Sequence, residues 1–197
     1  MKVGKLSKVT ARSAAEVLRL VEIEEEAEAL HRPGMTPAQF LEALLGAGQY
    51  PDSVKFLAAA LPKRESVWWA CVCSRLALTP DTPPPVVQAL VAAEKWVYEP
   101  TEPNRRAAEA AGEATGFASP PSCAATAAFW CGPSIAAPDS PAAVPPAEGL
   151  AARGVAGAVM LAAVQKEPEK AEEKYKAFLE RGFDIADGGT GQGKPRR

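Results

Sequence analysis

Histidine is almost absent from this chain: His31 is the only one in 197 residues. A Ser-His-Asp or Cys-His arrangement needs an imidazole beside its nucleophile, oriented by a third group. His31 instead lies in Leu30-His31-Arg32-Pro33, the sequence of a helix end, where contact with terminal carbonyls and the helix dipole is the expected role. No Gly-x-Ser-x-Gly elbow accompanies it, and one histidine cannot supply the two Glu-x-x-His motifs of a di-metal carboxylate centre. Phosphate-binding loops are missing too. Neither a P-loop nor a Gly-x-Gly-x-x-Gly turn is present, and the glycines of Gly188 to Gly193 follow the last helical segment instead of joining a strand to a helix. No catalytic residue and no cofactor is therefore assigned, and the chain is not expected to be an enzyme.

Cysteine is sparse, with four residues, and no apolar stretch of the length a secretory signal needs stands near the basic N-terminus. The thiols are expected to stay reduced in the cytoplasm. Cys71, Cys73, Cys123 and Cys131 could in principle ligate zinc, but Cys71 and Cys73 project about 160° apart on one helix, unlike the paired C-x₂₋₄-C turns of structural zinc sites. They are expected to be buried as small apolar side chains, and no metal ligand is assigned. A cysteine-based metal- or small-ligand-binding regulator stays as the competing function.

Net charge is small as well. The formal value of −2 supplies no field to attract nucleic acid or an anionic membrane. Long apolar runs are lacking: prolines break Phe117 to Pro138, and Gly154 to Gln165 is shorter than the roughly 20 residues a span requires. Neither a nucleic-acid partner nor a membrane span is expected.

What the chain does have is apolar residues at 47%, many of them alanine, and 19 prolines. Alanine favours helix while burying little area per residue, so a few large side chains must supply the core. Helix start and stop signals recur at short intervals and strand signals are scarce. Ser13 opens an acidic segment to about Leu30 with an apolar stripe at Leu20, Ile23, Ala27 and Leu30; Pro33-Gly34 ends it. Thr36-Pro37 caps a helix to Gly46, and another runs from Asp52 to Leu61. Arg64 to Leu78 carries apolar residues nearly all round, including Trp68 and Trp69, which predicts burial of both rings. Further helices are predicted over Val86 to Val97, from Thr101 to Gly116, from Ser119 to Gly132, over Glu148 to Lys166, and from Lys170 to Arg181 with Gly182 as the stop. The expectation is an all-α fold, a single irregular helical bundle or short antiparallel array of about eight helices. It occupies residues 13–187, with 13–31 possibly peripheral. Residues 1–12 read as a flexible basic tail and 188–197 as a disordered glycine-rich basic one.

One polar cluster stands out. Trp96 and Tyr98 precede Thr101 to Arg106, where a capped helix start gathers Glu102, Asn104, Arg105 and Arg106. Arginine presents a planar fork of donors suited to a carboxylate or a peptide backbone. These six residues are the candidate partner-binding site; the alternative is a network tying the helix start to its neighbour.

The segments Glu65 to Cys71 (ESVWWAC), Pro100 to Arg106 (PTEPNRR), Ala127 to Gly132 (AAFWCG) and Gly182 to Ala186 (GFDIA) resemble those of an uncharacterised bacterial family, helical throughout, over roughly residues 36–188. The resemblance implies genes often encoded near type VI secretion genes, and so a cytoplasmic adaptor, chaperone or accessory factor. The expected function is accordingly a non-enzymatic interaction module whose partner is another protein, a secretion-system component or effector.

Overall fold

The computed structural model describes residues 2–192. Among them there is no β-strand, and ten α-helices follow in order: α1 (Ala14–Leu18), α2 (Glu25–Glu28), α3 (Pro37–Gly46), α4 (Tyr50–Ala60), α5 (Lys63–Ala77), α6 (Pro84–Tyr98), α7 (Glu102–Glu113), α8 (Pro120–Phe129), α9 (Leu150–Val164) and α10 (Ala171–Ala186). The fold is all-α, as the punctuation of the sequence predicts. Three starts are capped as their residues require. Thr36 and Gln39 form a capping box on α3, Ser119 and Ser122 form one on α8, and Thr101 accepts the Asn104 N–H at the head of α7.

The centre is α5, α8 and α9, which pack on one another; α6 and α7 cover α8, α4 covers α9, and α10 packs on α4, α5 and α9. Small residues make this close approach possible. Ala124, Ala125, Ala127 and Ala128 of α8 and Ala158 and Ala163 of α9 are fully buried. The most enclosed large side chains include Phe40, Phe56, Leu57, Leu90 and Leu179 on the helices around this centre and Trp69 on α5.

Four expectations are corrected. The acidic first segment is not one helix: α1 ends at Leu18, and Arg19 to Glu24 leave helical form before α2. Glu22 with Glu26 and Glu24 with Glu28 would be like-charged i,i+4 pairs in a continuous helix. The break lets Ala14, Val17 and Ala27 each bury on the domain and brings the Glu24 N–H to Asp52 Oδ1 at 3.3 Å.

The N-terminal tail is not free. Val3 and Leu6 are buried members of the core, and Lys8 N donates to the Ala186 carbonyl at 2.8 Å. Two apolar side chains, bonds from Ser7 and Lys8 to the end of α10, and the Lys8–Glu65 ion pair hold an aperiodic segment that the sequence pattern cannot reveal.

Gly182 does not stop α10, which continues to Ala186. It lies inside the helix because Leu57 and Trp69 press on its bare Cα: a Cβ there would stand 2.7 Å from Leu57 Cδ2.

The glycine-rich end folds back over α5 and α10. Trp68 Nε1 donates to the Thr190 carbonyl at 2.8 Å, Arg181 Nη1 to the Gly191 carbonyl at 2.7 Å, and Gly191 N to Asp184 Oδ2 at 2.8 Å. The remainder of that predicted tail, 193–197, lies outside the described residues.

Candidate functional site

The polar cluster at the start of α7 is tied up within the fold. Arg105 is 3% exposed. Its Nε and Nη2 reach the two Glu102 oxygens at 2.6 Å each, Nη1 donates to the Phe129 carbonyl at 2.6 Å, and Nη2 also donates to the Ser134 carbonyl at 3.0 Å. The guanidinium lies over the Phe129 ring, 4.8 Å from its centre. Gly132 completes the seat, since a Cβ there would collide with Nε.

Arg106 is held similarly, by Glu102, Glu109 and the Ala136 carbonyl. Asn104 donates to the Glu99 carbonyl at 2.8 Å. Both arginines keep the Glu102 carboxyl down at about 2, the Arg105 hydrogen bond being the larger cause.

Of the six candidate residues, Trp96, Asn104 and Arg105 are buried, Arg106 is largely covered, and Glu102 is consumed by two ion pairs. The proposed binding surface is corrected accordingly: Glu102, Arg105 and Arg106 form a structural network that fastens α7 to the end of α8 and the connection after it, Asn104 ties the helix start to Glu99, and Trp96 belongs to the core. Glu102 is half exposed but has both oxygens paired, and Tyr98 points outward, 69% exposed.

Tyr98 has partners that the polar cluster did not suggest. Its ring meets Trp68 edge-on at a centroid distance of 5.6 Å, and Trp68 lies on α5 in register with Val72 and Leu76, at i, i+4 and i+8. Trp69 is fully enclosed, donating Nε1 to the Phe178 carbonyl at 2.8 Å. Trp68, in contrast, is only partly buried, and Leu76 is 52% exposed. The expectation that both tryptophans lie in the core therefore holds for Trp69 only. Two hollows of about 380 and 360 Å³ share Trp68, Tyr98 and Gln192. One is bounded by Lys8, Arg64, Glu65 and the 188–190 backbone, the other by Val72, Arg75, Leu76, Glu94 and Arg181. The sequence did contain the signal: α5 is apolar on more of its circumference than burial of one face requires.

The cysteines do not converge. Cys71 and Cys73 are enclosed on α5, while Cys123 and Cys131 of the α8 region are partly exposed. Burial raises all four thiols, Cys131 to about 12. Among the described residues no three His, Cys, Asp or Glu side chains gather where a metal ion could sit, and no helix is long and apolar enough to cross a membrane. His31 departs from its expected dipole contact. Its ring packs edge-on against Phe40 with centroids 5.6 Å apart, and its Nε2 is buried without a partner.

No curated protein and no solved structure matches the chain. A family profile does match, over residues 40–186, and it takes in α5 with Trp68 and Trp69, the Arg105 network and α10 with Gly182. The chain belongs to this family of unknown function, DUF6931.

Proposed function

We propose that this protein is a non-enzymatic interaction module that holds another protein against the surface formed by Trp68, Val72, Leu76 and Tyr98. The observation that carries the reading is the exposure of a tyrosine and a leucine beside a half-covered tryptophan. Aromatic residues at the centre of an apolar patch are the usual energetic anchors of protein interfaces. A rigid base supports them, because Trp69 and Cys73, beside the stripe on the adjoining face of α5, are locked in the core.

The biological setting is taken from the family resemblance and not from geometry. It is that of a cytoplasmic adaptor, chaperone or accessory factor of a type VI-like secretion system, with one of its components or effectors as partner. The test is affinity purification of the tagged chain from its own host, run beside the Leu76→Asp/Tyr98→Ala double variant. Both positions are exposed, so the variant is expected to keep its fold. A secretion component recovered with the wild type and lost with the variant supports the reading. Equal recovery with both chains, or recovery of no specific protein with either, overturns it.

A further inference from the structure

We infer that the segment received over Tyr98 and the outer stripe of α5 is an acidic amphipathic helix of the partner protein. This rests on the interaction reading above and adds the chemistry of the partner.

Trp68, Val72 and Leu76 extend over two turns of α5, about 12 Å of rise. Hollows on both sides of Tyr98 make the surface a shallow trough and not a closed pocket. An extended peptide binds by adding its backbone to a sheet edge, and there is no strand among the described residues. A helix satisfies its own backbone bonds and asks only for apolar contact and complementary charge.

The charge is legible residue by residue. The side chains lining the two hollows include four cations, Lys8, Arg64, Arg75 and Arg181, and two carboxylates, Glu65 and Glu94. Both carboxylates are already engaged, Glu65 with Lys8 at 3.2 Å and Glu94 with Arg75 at 2.5 Å. Arg64 and Arg181 have no carboxylate partner among the described residues. Arg64 donates Nε to the Val97 carbonyl at 2.6 Å and Arg181 donates Nη1 to the Gly191 carbonyl, which leaves each guanidinium with further N–H groups for an incoming carboxylate. Asp184, one turn from Arg181, is turned into the chain end, where it accepts the Gly191 N–H.

The trough is thus locally positive on a chain of net charge −2, whose glutamate run at Glu22 to Glu28 belongs to the N-terminal arm. A surface of this sign favours a negative segment and repels a basic one, with its largest influence on encounter at low salt.

The experiment places p-benzoylphenylalanine at position 76 of the full chain, irradiates the cells, and sequences the cross-linked peptide. That peptide is then synthesised and its affinity measured for the wild type and for the Arg64→Glu/Arg181→Glu double variant. The expected adduct is a net-negative segment with apolar residues at helical spacing, bound about tenfold or more weakly by the double variant at low salt, with the difference shrinking as salt rises. A neutral or basic segment, or equal affinity for the two chains, overturns the acidic-helix inference and leaves the interaction reading standing. No adduct at position 76, together with a partner still captured by the Leu76→Asp/Tyr98→Ala chain, overturns both.

Discussion

A Cβ on Gly182 would lie 2.9 Å from Cε2 of Trp69, so the indole occupies the space a side chain would take. The two residues come from separate segments of the family resemblance, and Arg105 and Gly132 come from the other two. Each pair is a large side chain seated on a glycine. The four segments that carry the resemblance thus each supply one side of a joint of the fold, and packing accounts for these residues without any chemistry.

Gly182→Ala tests the first joint. The clash with Leu57 and Trp69 costs about 1–3 kcal/mol, as overpacking does, against a gain of about 0.5–1 kcal/mol from alanine in a helix. Urea unfolding is expected to show a lower midpoint at unchanged slope. A midpoint equal to or above that of the wild type would show that α10 can shift away from the indole.

The second joint predicts an asymmetry between neighbouring arginines. Arg105→Ala removes a buried guanidinium and leaves the Phe129 and Ser134 carbonyls without it; the expected loss is about 3 kcal/mol. Arg106, nearer the surface, is expected to cost about 1 kcal/mol. Denaturant titrations of the two variants side by side settle the order, and an Arg106→Ala loss as large as that of Arg105→Ala would contradict the network described.

Glu102 ties this joint to pH. Its carboxyl is held at about 2 in the fold against an ordinary 4.5, so the folded state binds the proton less readily than the unfolded state. The resulting stabilisation is fully present above about 4.5 and is lost as pH falls towards about 2. The carboxylate is half exposed, and solvent screening keeps the effect small. The melting-temperature gap between wild type and Glu102→Gln is expected to narrow over that window; a gap constant with pH would remove Glu102 from the acid response.

The thiols are expected to divide by position. Cys71 and Cys73 are enclosed and burial holds them protonated, so in native protein they should resist alkylation by iodoacetamide at neutral pH. Cys123, the most accessible, should be labelled first, and slowly. Peptide mass mapping after timed exposure reads the order. Early labelling of Cys71 or Cys73 would mean that α5 opens readily.

Leu6 lies outside the span matched by the family profile yet is 4% exposed. Leu6→Ala is expected to cost about 2 kcal/mol, in the range for truncating a buried leucine. No change in stability would mean that the N-terminal segment contributes nothing to the fold.

Much of the helical framework was legible because its signals are local. Thr36-Pro37, Thr101 and Ser119-Pro120 bond to backbone groups within three residues, and nothing distant competes with them. Boundaries failed where a distant residue intervened. Gly182 looks like a stop until Trp69 arrives to fill its bare face, and the glutamate run looks like one helix until Asp52 draws Glu24 out of it.

For the candidate site the same division applies. Residue types and spacing alone identified Glu102, Arg105 and Arg106 as a cluster, because i,i+3 and i,i+4 neighbours on a helix necessarily meet. Whether that cluster faces a partner or the protein itself depends on carbonyls supplied by Phe129, Ser134 and Ala136, some thirty residues away. Tertiary packing gave the arginines to the interior and left Tyr98 and Leu76 outside. Sequence alone determined the all-α class, through caps, prolines and apolar periodicity that act over a single turn. The assignment of inside and outside was decided only when α5, α6 and α10 came together, since burial is a property of neighbours and not of the residue.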